Sequence, residues 1–270
     1  MAKLAEYHFK GAASGTTPTT VTDESGNGNG LTINFNTDDG AWGEDASGRY
    51  LSIPEAPNTS PAVARVAMNA GGLGAALDGA TTFLIMFKTL GVELGDYPAS
   101  PLIAIGEEGA ATDLEISVTD SGASGAIILS GLGGEAGFYD RASTIICFAI
   151  DTTQATAADR IKIYRRNPSN VNETIATPPF YSAPAQNAAL TGINNATTYL
   201  SVLNYADGTH NADAAMKYLR FESGTMTESA IYDAMDALAA DDDADPMAGG
   251  GGSNVNLMAG KFGALLAGKL

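Results

Sequence analysis

Two stretches at opposite ends of the chain decide the fold. Late in the sequence, Tyr199-Leu200-Ser201-Val202-Leu203-Asn204 and then Ala214-Ala215-Met216-Lys217-Tyr218-Leu219-Arg220-Phe221 read as strands. Gly224-Thr225-Met226-Thr227-Glu228-Ser229-Ala230-Ile231 follows as a stop and a helix cap. Near the start, Leu4-Ala5-Glu6-Tyr7-His8-Phe9 is a strand, and Asp23-Glu24-Ser25-Gly26-Asn27-Gly28-Asn29-Gly30-Leu31 is a glycine and asparagine turn into a second one. Between these ends, short β-rich runs recur at 31–36, 49–53, 62–68, 81–89, 102–105, 114–119, 126–130, 144–151 and 161–166. That spacing predicts an antiparallel sandwich rather than a parallel α/β sheet. Leu114-Glu115-Ile116-Ser117-Val118-Thr119 alternates apolar and polar residues, so it has one core face and one wet face. Thr81-Thr82-Phe83-Leu84-Ile85-Met86-Phe87-Lys88 is apolar on both faces, which predicts a central strand covered by the opposite sheet and by loops.

The pairing of ends carried by these motifs resembles the laminin-G-like jelly roll of the concanavalin A-like lectin/glucanase superfamily, over residues 4–240. The resemblance implies an all-β fold, an antiparallel two-sheet jelly-roll sandwich with the first strand beside the last and a short helix after the final strand. Asp140-Arg141-Ala142-Ser143 and Asp159-Arg160 look like the turns feeding the family's central hairpin. Arg166-Asn167-Pro168-Ser169-Asn170 stands where many relatives have an Asn-Gly turn, a departure that lengthens the connection. The chain divides into a jelly-roll domain at 1–240, an acidic then glycine-rich linker at 241–256, and an apolar docking segment at 257–270.

With 44% hydrophobic residues, 270 residues are enough to bury one large core. A formal charge of −17 repels phosphate backbones, and beyond Arg165-Arg166 no basic cluster opposes it, so nucleic acid is not an expected partner. No apolar segment reaches the ~20 residues that a spanning helix needs, so no membrane span is expected. Met1-Ala2-Lys3 leads straight into a strand without an apolar leader, which points to assembly in a cytoplasm. Cys147 is the single cysteine; it lies in an apolar run and reads as a small buried hydrophobe.

A helix is predicted from Thr225 or Thr227, with Ile231, Ala234, Met235 and Leu238 on one apolar face. Its other face is acidic. Residues 222–245 hold eight acids and no base, and negative charge at a helix C-terminus is unfavourable, so the helix should stop near Ala240. Beyond it, Gly249-Gly250-Gly251-Gly252-Ser253 reads as a flexible linker. In the last segment, Leu257, Met258, Phe262, Leu265, Leu266 and Leu270 are the candidate docking residues. Wound as a helix, the segment places most of them along one side, beside a smooth strip of Gly260, Ala264, Ala267 and Gly268. Its glycines disfavour a free helix, so it gains shape only against a neighbour: a partner subunit or a second copy of this chain in a homo-oligomer.

The catalytic Glu-x-Asp-x-x-Glu motif of the superfamily's glucanases is absent. Asp113-Leu114-Glu115-Ile116-Ser117 lacks its leading glutamate, so no catalytic residue is assigned. His8 reads as a strand residue, and His210 sits in a polar turn. The family often holds one calcium ion in its loops, and Asp23, Asn27 and Asn29 have suitable oxygens. The same residues also suit a turn that tolerates positive φ, with Asp23 bonded to its own backbone. Trp42, the only tryptophan, is a candidate platform for a sugar ring, such as that of a host-surface glycan, or a cap on the core at a sheet edge. No cofactor is required by this reading. The resemblance implies a non-enzymatic virion structural protein of a tailed bacteriophage, attached through its C-terminal peptide to capsid or other virion subunits. The alternative is a free carbohydrate-binding module or adhesin.

Overall fold

A computed structural model of the chain describes residues 2–9, 18–34, 41–45, 48–53, 63–92, 99–108, 112–119, 125–139, 144–175, 180–182, 188–205 and 214–241. These residues form two antiparallel sheets. The first has the order β14 (Asn172–Ile175), β13 (Ile161–Arg166), β12 (Ile145–Asp151), β7 (Thr82–Val92), β17 (Ala214–Ser223), β5 (Gly48–Ile53) and β4 (Ala41–Asp45). Alongside β5, the first strand β1 (Lys3–His8) also pairs with β17, Glu6 opposite Arg220 and His8 opposite Tyr218. The second sheet runs β15 (Phe180–Ser182), β11 (Gly134–Phe138), β10 (Ala126–Gly131), β9 (Thr112–Thr119), β8 (Ala99–Glu107), β16 (Thr198–Val202), β6 (Val63–Ala67), β3 (Leu31–Asn34) and β2 (Thr20–Val21). The architecture is the all-β two-sheet sandwich expected from the sequence, with the first strand beside the last.

Alternation along the strands builds the core between the sheets. Phe83, Ile85 and Phe87 of β7 and Ile146, Phe148 and Ile150 of β12 face Leu114, Ile116 and Val118 of β9 and Ile103 and Ile105 of β8, all buried. Each such side chain contributes about 1.5–3 kcal/mol by leaving water. Phe87 and Phe148 stack with centroids 6.5 Å apart.

The opposite side of β7 is apolar for a different reason than the sequence suggested. Leu84 and Met86 lie under a helix, not under loops: α2 (Glu228–Asp241) sets Ile231, Met235 and Leu238 against them and against Ile145, Cys147, Tyr164 and Tyr218. Burial pushes the Cys147 thiol up to about 12, so it remains a protonated hydrophobe. Thr227 is the residue that caps α2, its Oγ1 accepting from the Ala230 N–H at 3.3 Å. Glu228 takes no part in a capping box with Thr225; its Oε2 accepts from Thr174 Oγ1 of β14 at 2.9 Å. The helix runs to Asp241, one residue past the expected stop, and Lys88 Nζ donates to the Leu238 carbonyl at 3.5 Å near its end.

After β6, Gly72–Leu77 forms a short helix, α1, that buries Leu73 and Leu77. Helicity here rests on tertiary contact: a Cβ on Gly74 would lie 2.3 Å from the Met68 carbonyl oxygen. The acidic segment around Trp42 is a strand, β4, with Gly43 opposite Tyr50, whose ring covers the glycine. Gly131-Leu132-Gly133-Gly134 forms a hairpin turn, with Leu132 and Gly133 both at positive φ between β10 and β11.

Candidate functional site

Asp23, Asn27 and Asn29 come together as expected, but on the free edge of β1. Asp23 is buried, and its Oδ1 accepts from the N–H groups of Glu6 at 3.0 Å and Ser25 at 2.9 Å. Its Oδ2 accepts from the N–H of Asn29 at 3.0 Å and from Asn29 Nδ2 at 2.8 Å. Both lone pairs of each oxygen are thereby engaged. Burial alone would raise this carboxyl; donation from Ser25, Asn29 and Glu6 outweighs it and holds Asp23 below the ordinary range. Asn29 Nδ2 and Asn27 Nδ2 both donate to the Leu4 carbonyl, at 2.9 and 3.2 Å, and Asn27 Nδ2 reaches the Lys3 carbonyl at 2.8 Å. Glu24 N–H donates to the Glu6 carbonyl at 2.8 Å. The loop thus does with side chains what a neighbouring strand would do with its backbone, and it closes an edge open to mispairing. Of the two readings open for it, this hydrogen-bonded turn is the one the geometry matches. A hard cation needs several free oxygens converging at 2.3–2.6 Å, and Asp23 has none to give. Among the described residues, no group of three His, Cys, Asp or Glu is placed to hold a metal ion.

Trp42 sits on the edge strand β4, half-buried, with its ring packed against the core and its Nε1–H donating to the Pro18 carbonyl at 2.9 Å. This arrangement anchors the indole as a cap on the sandwich edge. His210 and the docking residues Leu257, Met258, Phe262, Leu265, Leu266 and Leu270 lie outside the described residues.

The outer face of the second sheet carries a polar row that sequence reading missed. Cross-strand registers place Ser130, Glu115, Ala104, Ser201, Arg65 and Thr32 side by side on β10, β9, β8, β16, β6 and β3. At about 4.8 Å per strand, the row spans about 24 Å. Glu115 is buried, and its Oε2 accepts from Tyr205 Oη at 3.0 Å and Thr112 Oγ1 at 3.2 Å. Ser201 is fully buried, and among the described residues its Oγ has no hydrogen-bond partner. Arg65 lies 4.4 Å above the Tyr199 ring and pairs with Glu108 at 3.1 Å. Leu203 is buried at positive φ just after β16, an arrangement costing about 1–2 kcal/mol that precedes Tyr205 and its bond to Glu115. Glu115 and Ser201 are closed to solvent, so among these three polar residues Arg65 is the one that stands partly exposed on this face. Only the polar phase of each alternating strand hinted at the row; the neighbours come from six separate strands.

On the outer face of the first sheet, Glu6 accepts from Lys3 Nζ at 2.5 Å and from Tyr218 Oη at 2.7 Å. Burial raises the Glu6 carboxyl, but Lys3, Tyr218 and the Arg220 charge bring it below its ordinary value. His8 stands 3.9 Å from Glu6 and 3.6 Å from Glu24, with its ring edge-on to Tyr218. Arg220 pairs with the buried Glu222. The side-chain contacts here that cross from β1 to β17 are the Tyr218–Glu6 hydrogen bond and the His8–Tyr218 ring contact. Burial and then Glu107 raise the Asp113 carboxyl.

No protein-family model and no curated protein sequence matches the chain. Among solved structures, the botulinum neurotoxin serotype G binding domain is similar at a TM-score of 0.53 and 10% identity, over 88% of this chain and 51% of that one. Domain 4 of AbnA, a GH43 extracellular arabinanase from Geobacillus stearothermophilus solved with arabinotriose, aligns at 0.49 and 14%, over 86% and 97%. The sialidase of Trypanosoma rangeli, solved with the inhibitor DANA, aligns at 0.45 and 12%, over 84% and 31%. The chain spans about half the length of the neurotoxin domain. At 10% identity the likeness to the neurotoxin domain is one of fold alone, the β-sandwich already described.

Proposed function

We propose that the chain is a non-enzymatic structural component of a tailed-bacteriophage virion, a capsid decoration or fibre subunit that self-associates and is hung from partner subunits by residues 257–270. The observation that carries the reading is the sequence after α2. An acidic run and a glycine linker at 249–253 separate a folded sandwich from an apolar segment with a helical stripe. A sandwich whose buried carboxylates Asp23, Glu6 and Glu115 are tied to protein donors also favours a scaffold over a hydrolase. Deleting residues 249–270 should leave the melting transition of the body unchanged and abolish incorporation into particles. Purified particles that contain no copy of this chain by mass spectrometry would overturn the proposal.

Carbohydrate recognition is the second reading, either as an added capacity of the virion protein or as the task of a free module. The partly exposed Arg65 guanidinium on the outer face of the second sheet favours it, and the neurotoxin structure is an instance of this fold in a binding domain. In a glycan-array measurement on the intact chain, binding should fall on Arg65→Ala and persist on Trp42→Phe. Binding that is lost only at Trp42 would transfer the site to the sandwich edge.

A further inference from the structure

The loop that closes β1 contains the same dipeptide twice, Asn27-Gly28 and Asn29-Gly30. An asparagine followed by glycine is open to attack by the next backbone nitrogen on its own carboxamide carbon, because glycine has no side chain to obstruct the approach and rotates freely. The two copies have opposite surroundings. Asn29 is 2% exposed, its Nδ2 donates to Leu4 and Asp23, and its Oδ1 accepts from the Leu73 N–H at 3.0 Å. Its carboxamide is held on every side. Asn27 is exposed; its Nδ2 donates to the Lys3 and Leu4 carbonyls, but among the described residues its Oδ1 accepts no hydrogen bond. Gly28 makes no backbone hydrogen bond through its N–H among the described residues. Nothing lies within 4 Å of the place where a Gly28 Cβ would stand, so solvent and a closing ring both have room.

We propose that Asn27 is a site of spontaneous, backbone-assisted deamidation in the folded protein, and that the identical dipeptide at Asn29 is protected. The Gly28 nitrogen gives up its proton to base and forms a bond to Asn27 Cγ. The Cγ–Nδ2 bond breaks, and the amide nitrogen leaves as ammonia after taking a proton from solvent. Water then opens the five-membered imide at either carbonyl, giving aspartate or isoaspartate at position 27. No oxidant or reductant is involved.

The conversion acts on the edge closure. Asn27 Nδ2 donates to two carbonyls of β1; a carboxylate in its place sets negative charge against both, in a loop that already holds the Asp23 carboxylate. Isoaspartate also inserts a carbon into the backbone, which moves the Asn27 carbonyl away from the Gly72 N–H that it accepts at 3.1 Å. The seal on β1 loosens with age.

The test holds the intact chain, native in one arm and unfolded in urea in the other, in the same mildly alkaline buffer. Fragment-ion mass spectrometry of the peptide spanning residues 23–31 then separates position 27 from position 29. In the native arm position 27 converts, while position 29 lags by more than about tenfold because it requires local opening first. In urea the two convert at comparable rates. Native protein in which position 29 keeps pace, or in which position 27 stays unconverted while the unfolded chain converts, overturns the proposal. Hydrogen exchange at the Glu6 and Glu24 amides, which the closure holds, should be faster in the converted fraction, and unchanged exchange there would remove the proposed loosening.

Discussion

The hydroxyl of Tyr218 donates to Glu6 Oε1 at 2.7 Å, which ties the first strand to the last across 212 residues of sequence. Tyr218 is 4% exposed, so Tyr218→Phe leaves a buried carboxylate short of one donor, at an expected cost of about 1–3 kcal/mol in urea unfolding. A variant as stable as the parent would mean that Lys3 alone satisfies Glu6.

Acidification should act through the same group. Glu6 and Asp23 are held below their ordinary values in the folded chain, so between folded and unfolded values the unfolded state binds more protons. Their contribution is present above the ordinary carboxylate range and is lost as pH falls through that range to the lower folded values. Thermal melting from neutral to acidic pH should therefore show a plateau and then a fall. Tyr218→Phe, which brings Glu6 nearer its ordinary value, should flatten that fall.

Two glycines near the edge loop should respond in opposite ways. A Cβ on Gly71 would stand 2.3 Å from Asn29 Oδ1 and 2.6 Å from the Asn27 carbonyl oxygen, whereas one on Gly30 meets only the Val21 carbonyl at 3.5 Å. Gly71→Ala should destabilise by about 1–3 kcal/mol, and Gly30→Ala by less than about 0.5 kcal/mol. Equal losses in chemical denaturation would show that the packing of α1 on the loop is slack.

Calcium should be without effect on the body of the protein. With four N–H donors on Asp23, a cation would have to displace them and leave them unpaired, which costs about 1–3 kcal/mol each. Melting temperatures in excess calcium and in chelator should coincide. A calcium-dependent rise that disappears in Asp23→Asn would reinstate the cation site.

Lys88 supports the end of α2. Its ammonium, nearly buried, donates to the Leu238 carbonyl in the last turn, where a positive charge is favourable by about 1 kcal/mol. Lys88→Met should speed amide exchange at residues 238–241 more than at residues 230–234. Uniform exchange along the helix would show that the acidic C-terminus is held by other contacts.

The sequence by itself determined the elements whose information is local. The alternation of Leu114–Thr119 marked a strand with one buried face, and Thr227 with the Ile231, Met235 and Leu238 stripe marked the helix that follows the last strand. The pairing of the first strand with the last was expected only through the resemblance of those ends to the laminin-G-like jelly roll, since strand patterns at both ends do not by themselves say that they pair. Tertiary structure alone decided what the polar residues do. Asp23 receives its donors from positions 6, 25 and 29, and the row from Ser130 to Thr32 draws on six strands. Such neighbourhoods depend on register between distant strands, and a slip of one residue turns every side chain of a strand to the opposite face. Spacing along the chain holds no record of that register, so which side chains share a face across strands was settled only when the sheets paired.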